Sequence, residues 1–361
     1  MMMPAIRSSG AGSNDNDNRL FVEKHSMPTG VTLTFNRAVV CALAAFAGSL
    51  VPSAAQDAQS RSTGPKRPWV VAHRGASAYA PENTVPAFQL AAEQGATFVE
   101  FDLRLTKDGH IVCLHDETLE RTTDVEAVFP DRGQVPAGAQ TTRRWQLEDF
   151  TLAELKRLDA GAWFDPKYRG TRIPTFAETI DALRSRSGLF IELKSPERYP
   201  GIEKLVLAEL KAKGLDQPGA DPRTPVLLQS FTASSLAIFA KALGTRLPIH
   251  FLFSARDASP WITAEGLSRI KAFATGISPE KTVVKDRPDF LKRARQAGLI
   301  VTPYTFRSTA VTGFPDVRLE MKHYLEVLRV DGVITDNPDQ MPQRRLAAGA
   351  ALPSLTKIRQ T

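Results

Sequence analysis

Short apolar stretches alternate with segments of helical length through most of this chain, and that alternation limits the possible fold more than any other feature. The apolar stretches lie at 69–73, 97–102, 110–115, 189–194, 225–230, 248–252, 272–277, 299–304 and 330–335. The helical segments lie at 84–94, 151–157, 175–186, 201–213, 232–243, 264–271, 286–298 and 318–329. Strands that alternate with helices form parallel sheets with helical crossovers. The pattern therefore predicts an α/β domain.

The number and order of the stretches favour a TIM-type (β/α)8 barrel over an open doubly wound sheet. A dinucleotide-binding sheet of the second kind needs a glycine-rich turn after its first strand, and His73-Arg74-Gly75 is not that fingerprint. Nine strand candidates are one too many for a barrel of eight. The second and third are joined by the short turn 106–109, so we expect a distortion there, although the sequence leaves open which candidate lies outside the barrel. The polar stretch around 120–150 is expected to form a long loop insertion over one face.

The amino-terminal 55 residues predict an extension followed by a secretory signal peptide. The apolar run 38–51 follows Arg37, is too short to span a bilayer comfortably, and precedes small residues that end at Ala55, where we expect cleavage. Met27 is an alternative start that would give a leader of ordinary length. A cleaved leader predicts a secreted protein, periplasmic in a Gram-negative bacterium, without a stable membrane anchor.

The remainder of the chain divides into a polar linker at 56–68, one barrel domain at 69–343 and a carboxyl-terminal tail at 344–361. The net charge of +7 suits an anionic substrate, and the scattered basic residues argue against nucleic acid as a partner. Of the two cysteines, Cys41 lies in the leader and Cys113 in an apolar run, so Cys113 is expected in the core. The oligomeric state is left open.

The polar residues of the strand candidates lie mostly at their carboxyl-terminal ends. In a parallel barrel these ends meet at one rim, and that rim carries the active site of such folds. The residues that share this position are His73, Arg74, Glu100, Asp102, His115, Glu192, Lys194, Gln229, Tyr304 and Asp336.

Three carboxylates at this rim predict a metal site. Glu100 and Asp102 are two residues apart on one strand and so face the same side, and Glu192 ends another strand. Carboxylates that face one axis repel each other, and a divalent cation relieves that repulsion. Oxygen ligands favour Mg²⁺ or Ca²⁺ over Zn²⁺. The alternative is that Glu100 and Asp102 form buried ion pairs with Arg74 or Lys194.

Two histidines end neighbouring strand candidates beside these carboxylates. The ordinary pKa of histidine allows His73 and His115 to serve as base and acid near neutral pH. Arg74 offers a forked donor for a phosphate group, and Lys194 adds a point charge. Asn83 and Thr84 are of residue types that cap helices, and capping is the default role of either, with contact of Asn83 to the metal or the phosphate as the alternative.

The chain resembles the glycerophosphodiester phosphodiesterase family, in its larger periplasmic branch. The resemblance runs in order through His73-Arg74-Gly75, residues 81–84, Glu100-Phe101-Asp102, residues 106–109, His115-Asp116, and residues 129–132, 159–164, 173–175, 191–194, 229–231 and 331–336. It implies metal ligands at Glu100, Asp102 and Glu192, acid and base at His73 and His115, and phosphate contacts from Arg74 and Lys194. The expected substrate-binding set is completed by Gln229 and Tyr304, and many members carry Trp at the position of Tyr304.

The resemblance implies hydrolysis of a small-molecule glycerophosphodiester to glycerol 3-phosphate and an alcohol, with one divalent cation, Ca²⁺ or Mg²⁺. The attacking group, water or the glycerol 2-hydroxyl, stays open. Two other functions compete: a phospholipase, for which 248–261 contains apolar candidates, and a binding protein, which should have lost a histidine or carboxylate. Because the strand ends contain little that is suited to the other alcohol, the sequence predicts weak headgroup discrimination.

Overall fold

The computed structural model describes residues 67–137 and 141–342. The predicted leader, nearly all of the linker and the predicted tail lie outside these residues, so their assignment remains a prediction. Nine strands form one sheet. They are β1 (Trp69–Ala72), β2 (Phe98–Leu105), β3 (Ile111–Cys113), β4 (Gly188–Leu193), β5 (Val226–Ser230), β6 (Ile249–Phe253), β7 (Gly276–Pro279), β8 (Ile300–Val301) and β9 (Gly332–Thr335).

Eight of these strands run parallel in the order β8-β7-β6-β5-β4-β2-β1-β9. Backbone hydrogen bonds then join the two ends of that order. Asp331 N donates to Val301 O at 2.9 Å, and Ile334 N donates to Pro303 O at 3.0 Å. Phe306 N returns a bond to Ile334 O at 2.9 Å. These contacts close the sheet, so the predicted parallel (β/α)8 barrel is confirmed.

The strand outside the barrel is β3, a choice that the sequence left open. It pairs antiparallel with the outer half of β2, with Leu103 opposite Cys113. The turn between them is closed by Gly109 N donating to Thr106 O at 3.0 Å, and φ of +80° at Gly109 suits a residue without a Cβ. A connection this short allows only an antiparallel neighbour, because a parallel return needs a crossover of about a dozen residues.

Ten α-helices connect and cover the strands in the described part of the chain. They are α1 (Val85–Glu93), α2 (Val125–Val128), α3 (Leu152–Leu155), α4 (Phe176–Leu183), α5 (Ile202–Ala212), α6 (Ala233–Ala237), α7 (Ala264–Lys271), α8 (Lys281–Asp286), α9 (Pro288–Gln296) and α10 (Val317–Lys322). Two of them, α6 and α10, continue as π-helical turns at Ile238–Ala242 and His323–Val327. The sequence pattern missed α8, and it placed the seventh strand at 272–277, whereas β7 ends at Pro279.

The two faces of each barrel strand pack into different layers. On β2, Phe101 faces the helices and lies between Phe88 of α1 and Phe176 of α4, with ring centroids 5.7 and 6.0 Å away. The alternate residue Phe98 faces the barrel interior, where its ring contacts Trp69 at 5.1 Å and Phe190 at 5.7 Å. This two-residue period is what places alternate polar residues of the same strands inside the barrel mouth.

The predicted loop insertion around 120–150 contains only short helical turns in its described residues, and it packs around a core of its own. Trp145 and Phe150 are buried in a cluster separate from the main core, together with apolar residues from β3 and from 119–173. Arg132 covers this cluster with its guanidinium 4.1 Å from the Phe150 ring centroid. The capping box of α3, in which Thr151 and Glu154 bond to each other's backbone N–H groups, orders the end of this segment.

Candidate active site

One histidine lies fully buried in the barrel interior, below the layer that contains the charged groups. His250 lies beside Trp69 and Phe190, and its Nδ1 is 3.1 Å from Thr302 Oγ1. Burial lowers the pKa of His250 to about 3, so the imidazole is neutral. Gly276 faces this ring, and any Cβ at that position would collide with it. His250 is therefore a structural residue, and the chemistry lies in the layer above it.

Three predicted metal ligands meet in that layer. One carboxylate oxygen from each of Glu100, Asp102 and Glu192 lies within 4.8 Å of the others, and all three side chains are buried. The register explains the meeting, because Asp102 is paired with Glu192 across β2 and β4, and Glu192 is paired with Gln229 across β4 and β5. Glu100 lies one layer deeper on the same inward face of β2. Strand pairing thus brings together Asp102 and Glu192, which are 90 positions apart in the sequence.

Two cations contact the carboxylates, so the alternative interpretation of buried ion pairs is also realised. Lys194 Nζ lies 2.5 Å from Glu192 Oε1 and 3.3 Å from Asp102 Oδ1. Arg74 Nε lies 3.4 Å from Asp102 Oδ2, and the Arg74 backbone N–H donates to Glu100 Oε2 at 2.8 Å. The ion pairs and a metal site are compatible, because three buried carboxylates exceed the charge of two side-chain cations.

The pKa values of the three clustered carboxylates are shifted in different directions. Burial, followed by repulsion from Asp102 and Glu192, raises the pKa of Glu100 well above its usual range. Burial also raises the pKa of Glu192. For Asp102, burial is outweighed by Lys194 and Arg74, which hold the pKa of that carboxyl far below its usual range. Two of the carboxylates are therefore easier to protonate than a carboxylate in water, and a bound cation would oppose both shifts.

The donor set fits a hard divalent cation. Asp102 Oδ1 and Glu192 Oε1 are buried and accept no hydrogen bond from the described residues, although each lies near Lys194 Nζ. Gln229 Oε1 is likewise buried and without a donor among them. Oxygen ligands of Ca²⁺ or Mg²⁺ lie at about 2.0–2.6 Å from the ion and so at most about twice that distance apart. The three carboxylates, which lie within 4.8 Å of one another, meet that condition for the longer bonds of Ca²⁺.

The first predicted acid–base residue is held by a carboxylate from the last strand. His73 Nδ1 lies 2.7 Å from Asp336 Oδ1, and Asp336 Oδ2 lies 3.1 Å from Arg307 Nε. Burial and the neighbouring Arg74 lower the pKa of His73, although Asp336 opposes them. The balance favours a neutral ring that directs its Nδ1 proton to Asp336 and leaves Nε2 free to accept one.

The second predicted acid–base residue is held by its neighbour in sequence. His115 Nδ1 lies 2.6 Å from Asp116 Oδ1, and Arg121 Nε donates to Asp116 Oδ2 at 2.5 Å. Arg121 also donates two bonds to the carboxylate of Glu82, at 2.7 and 2.9 Å. Glu82 in turn accepts a bond from Arg74 Nη1 at 2.8 Å. A continuous chain of charged groups therefore connects His115 to Arg74.

The default role assigned to Asn83, helix capping, is wrong. Thr84 occupies the N-cap position of α1, and its side chain makes no capping bond. Asn83 instead adopts a positive φ of 56° and donates from Nδ2 to Asp102 Oδ2 at 2.8 Å. Its Oδ1 accepts from the backbone N–H of Asp102 at 3.2 Å. Asn83 therefore orients Asp102, which is closer to the alternative of a contact at the metal site.

The β1–α1 turn that holds these groups needs a glycine after Arg74. Gly75 has φ of +85°, and a Cβ there would lie 2.7 Å from the backbone of Ala87 in α1. The close approach of helix and turn lets Arg74 and Asn83 both reach Asp102. The packing of α1 against the turn therefore helps to position the site residues.

The remaining predicted substrate-binding residues lie on the far side of the cluster. Gln229 is buried, and its Nε2 donates to Glu100 Oε1 at 3.4 Å. Tyr304 packs on the interior apolar cluster and meets the ring of Phe231 edge to face at 5.7 Å. Lys194 Nζ lies 5.5 Å from the Phe231 ring centroid. The structure thus brings all nine predicted site residues to one rim.

Sequence reasoning missed the partners of these residues more than the residues themselves. The sequence pattern assigns no role to Glu82, Asp116, Arg121 or Arg307, although Glu82 lies within the 81–84 motif and Asp116 directly follows His115. Asp336 was assigned to the rim, but its pairing with His73 was not foreseen. An acidic residue directly after His115 was the available signal for the second histidine–carboxylate pair.

Such a rim, with a carboxylate cluster between two histidine–aspartate pairs, defines a class of barrel hydrolase that performs acid–base chemistry on an anionic ester. The sequence profile of the glycerophosphoryl diester phosphodiesterase family matches residues 73–340. That match covers more than half of the chain, and every rim residue described above falls within it. The chain belongs to this family.

Individual relatives agree with that assignment. A glycerophosphodiester phosphodiesterase of Bacillus subtilis is 34% identical over 283 residues, which cover 76% of this chain and 85% of the relative. One from Caldanaerobacter subterraneus is 33% identical over 274 residues, covering 75% and 95%. Among solved structures, an Oleispira antarctica phosphodiesterase in complex with the product sn-glycerol-3-phosphate is similar, with 31% identity, a TM-score of 0.58, and coverage of 76% of this chain and 95% of that one.

Proposed function

We propose that this protein hydrolyses glycerophosphodiesters to glycerol 3-phosphate and an alcohol, and that Glu100, Asp102 and Glu192 hold one divalent cation for that reaction. The observation that carries the proposal is the convergence of three buried carboxylates with two histidine–carboxylate pairs at the barrel mouth. Membership of the family supplies the substrate class.

The cations of the site are suited to hold a phosphodiester. Arg74 and Lys194 lie against the carboxylate cluster with side chains only 12% and 13% exposed. Their charges are strong there because little water screens them. Contacts to Asp102 and Glu192 raise the pKa of Lys194 despite burial, so Lys194 stays protonated. When bound, a divalent cation would supply Lewis-acid charge that polarises a phosphate oxygen and promotes deprotonation of the attacking hydroxyl.

The two histidines divide the proton transfers. A base must be unprotonated at working pH, and the lowered pKa of His73 meets that requirement. His73 would take the proton of the attacking hydroxyl at Nε2 while Asp336 holds Nδ1. His115, fixed by Asp116, would donate a proton to the departing alkoxide. The attacking group can be water, which gives glycerol 3-phosphate directly, or the glycerol 2-hydroxyl, which gives a cyclic phosphate that water must then open to glycerol 3-phosphate.

A rival proposal, hydrolysis of intact lipids, loses its structural support. Within 248–261, where the sequence offered apolar candidates, the apolar residues of 248–253 are buried, and Trp261 meets Phe251 edge to face with ring centroids 4.7 Å apart. Within the described ranges, no helix has the length and apolarity to cross a bilayer. A binding protein without activity is disfavoured because no predicted catalytic or ligand residue is missing.

The test is an assay of the purified protein after metal removal. Glycerophosphocholine hydrolysis should be abolished by chelation and restored by adding back Ca²⁺ or Mg²⁺, and the ion that restores it identifies the cofactor. A 2-deoxyglycerol analogue then tests the role of the 2-hydroxyl. If that hydroxyl attacks the phosphate or binds the metal, hydrolysis of the analogue should nearly stop; hydrolysis as fast as that of glycerophosphocholine would exclude both roles and leave water as the nucleophile. Full activity after exhaustive chelation would refute the metal proposal.

We also propose that the protein is exported after cleavage at Ala55, as the leader pattern predicts. Protein isolated from its native host should begin at Gln56. Amino-terminal sequencing that finds residues 1–26 on the mature chain would refute both cleavage and the later start at Met27.

A further inference from the structure

We propose that the rim formed by the ends of β5, β7 and β8 is a subsite for a positively charged leaving alcohol. Its residues are Phe231, Glu280 and Tyr304, which we call the headgroup rim. The ligand chemistry is a quaternary or primary ammonium carried by the alcohol, as in the phosphodiesters of choline and ethanolamine. The inference rests on the proposed function and adds a substrate preference to it.

The strand register turns all three side chains toward the barrel mouth. On β5, Leu227 packs in the interior cluster and Gln229 contacts Glu100, so Phe231 continues the same inward face. On β7, the hydroxyl of Ser278 lies 2.9 Å from that of Thr302 inside the barrel. Glu280 is two residues further along and therefore faces the mouth.

The third member of the headgroup rim, Tyr304, follows β8 and is bound directly to the end of β7. Tyr304 N donates to Pro279 O at 3.1 Å, and Lys281 N donates to Tyr304 O at 2.7 Å. Glu280 and Tyr304 are paired as neighbours in a parallel bridge. Their side chains therefore leave adjacent strands at the same height.

Glu280 provides a fixed negative charge at this rim. Its Oε2 accepts from the backbone N–H of Ala255 at 2.9 Å, and its Oε1 accepts from Thr282 Oγ1 at 2.7 Å. No lysine, arginine or histidine in the described ranges forms an ion pair with it. The adjacent Lys281 is engaged elsewhere, with its Nζ 2.7 Å from Glu320 Oε1. A half-buried carboxylate that is held in place and unneutralised attracts a cation from solution.

Phe231 and Tyr304 provide the aromatic surface that an ammonium group prefers. Phe231 is 42% exposed, although it lies at the mouth of the barrel rather than on the outer surface. Its edge-to-face contact with Tyr304 and its cation–π contact with Lys194 fix the ring beside the phosphate-binding cations. Aromatic rings next to a carboxylate form the kind of site that recognises quaternary ammonium ions.

The headgroup rim also lies beside the groups proposed to bind the phosphate, since Lys194 Nζ is 5.5 Å from the Phe231 ring centroid. After burial, the carboxylates of Glu280 and Glu192, followed by that of Asp257, raise the pKa of Tyr304. The Tyr304 hydroxyl therefore feels the negative charges of both Glu192, in the carboxylate cluster, and Glu280, its neighbour in the headgroup rim. The hydroxyl makes no hydrogen bond to any residue that the structure describes, and a substrate oxygen or ammonium could bond to it.

This inference departs from the weak headgroup discrimination that the strand ends predicted. The sequence pattern ended the seventh strand at residue 277, which left Glu280 in the following segment. In the structure β7 ends at Pro279, so Glu280 belongs to the strand-end layer. The position of one strand boundary changes the expected specificity.

The experiment compares kcat/KM for glycerophosphocholine and glycerophosphoglycerol in the metal-loaded protein. The wild type should prefer the cationic substrate, and Glu280→Gln, which retains an oxygen acceptor for Ala255 N–H, should reduce the choline-to-glycerol ratio by about fivefold, equivalent to the strength of an exposed ion pair. Phe231→Leu should reduce the same ratio. Glu93→Gln, at the exposed carboxyl end of α1, is the matched control for net charge and should leave the ratio unchanged.

An inhibition measurement provides a second readout. Tetramethylammonium chloride should inhibit the wild type more strongly than sodium chloride of equal ionic strength, and Glu280→Gln should remove the difference. Equal kcat/KM values for both substrates, or a ratio unchanged by both Glu280→Gln and Phe231→Leu, would overturn the headgroup rim while leaving the hydrolase intact. Failure of the wild type to hydrolyse any glycerophosphodiester would instead refute the proposed function.

Discussion

His73 at the end of the first barrel strand and Asp336 after the last are 263 residues apart in sequence, yet His73 Nδ1 lies 2.7 Å from Asp336 Oδ1. The pairing of β1 with β9 brings them together, and His73 N donates to Thr335 O at 2.9 Å beside the side-chain contact. The orientation of His73 therefore depends on the strand pairing that joins the first and last strands of the barrel.

Replacing the carboxylate in Asp336→Asn should lower kcat by about 10- to 100-fold, the scale of a misplaced proton acceptor. The amide can no longer hold the His73 ring with a charge, while KM should change little because Asp336 is not among the residues proposed to bind phosphate. Steady-state kinetics on glycerophosphocholine measure both quantities. An unchanged kcat would show that Asp336 does not orient the base.

The acid limb of the pH–rate profile should report His73. Burial and Arg74 lower its pKa, whereas Asp336 raises it, so activity should be lost as pH falls through a value below 6.5. Asp336→Asn removes the negative charge that raises the pKa of His73. The pKa of His73 should therefore fall further, and the acid limb should move to lower pH. A shift of the alkaline limb alone would assign His73 as the acid and reverse the proposed roles.

Arg121→Lys should lower kcat by about tenfold, because lysine cannot bond to Asp116 and Glu82 at once as the guanidinium does. The carboxylate that fixes His115 would then be free to rotate. Arg144→Lys is the matched control, since Arg144 also pairs with a glutamate, Glu120, but contacts no histidine partner. If the two substitutions have equal effects on kcat, the ion pair of Arg121 with Asp116 has no special role in positioning His115.

Metal binding should stabilise the fold through the carboxylate cluster. An ion at about 100 times its dissociation constant contributes about 2.7 kcal/mol, so Ca²⁺ or Mg²⁺ should raise Tm by several degrees. Glu192→Gln should remove most of that rise, and the exposed Glu93→Gln should retain it. Differential scanning calorimetry with and without the ion measures this independently of turnover, and a full rise in Glu192→Gln would exclude Glu192 as a ligand.

Phe101→Ala should destabilise the protein by about 3–5 kcal/mol, the cost of truncating a buried phenylalanine. Phe101 is fully buried between Phe88 and Phe176, on the face of β2 opposite Glu100 and Asp102. The ion-dependent rise in Tm should persist in this variant at temperatures where it is folded. Chemical denaturation gives the stability change, and a loss below 1 kcal/mol would contradict the packing argument.

The architecture was predictable because it depends on local periodicity. A strand alternates its side chains with a period of two, so the inward placement of Glu100 with Asp102, and of Glu192 with Lys194, could be inferred from spacing alone. The burial of Cys113 was predictable for a similar reason, since it lies within an apolar run. The ten residues that the sequence assigns to one rim do meet there in the structure, although their chemical roles stay predictions.

Several features of the site depended on contacts that spacing does not encode. The sequence left open which strand candidate lies outside the barrel, and the loop predicted around 120–150 has its own core. Asn83 is of a residue type that often caps helices, but the turn at Arg74 places its side chain against Asp102 instead. In each instance a packing or hydrogen-bond partner distant in sequence outweighed the local preference of the residue.

By itself the sequence determined the α/β barrel, the edge that carries the site and the kinds of groups that meet there, because strand period and crossover length are local properties of the chain. Only the tertiary structure decided which carboxylate holds each histidine, that Arg121 and Glu82 connect His115 to Arg74, and that Glu280 belongs to the mouth. Those relationships depend on the register between strands and on closure of the sheet. Both are set by the packing of the whole barrel, since each strand end gains its neighbours only when every other strand is in place.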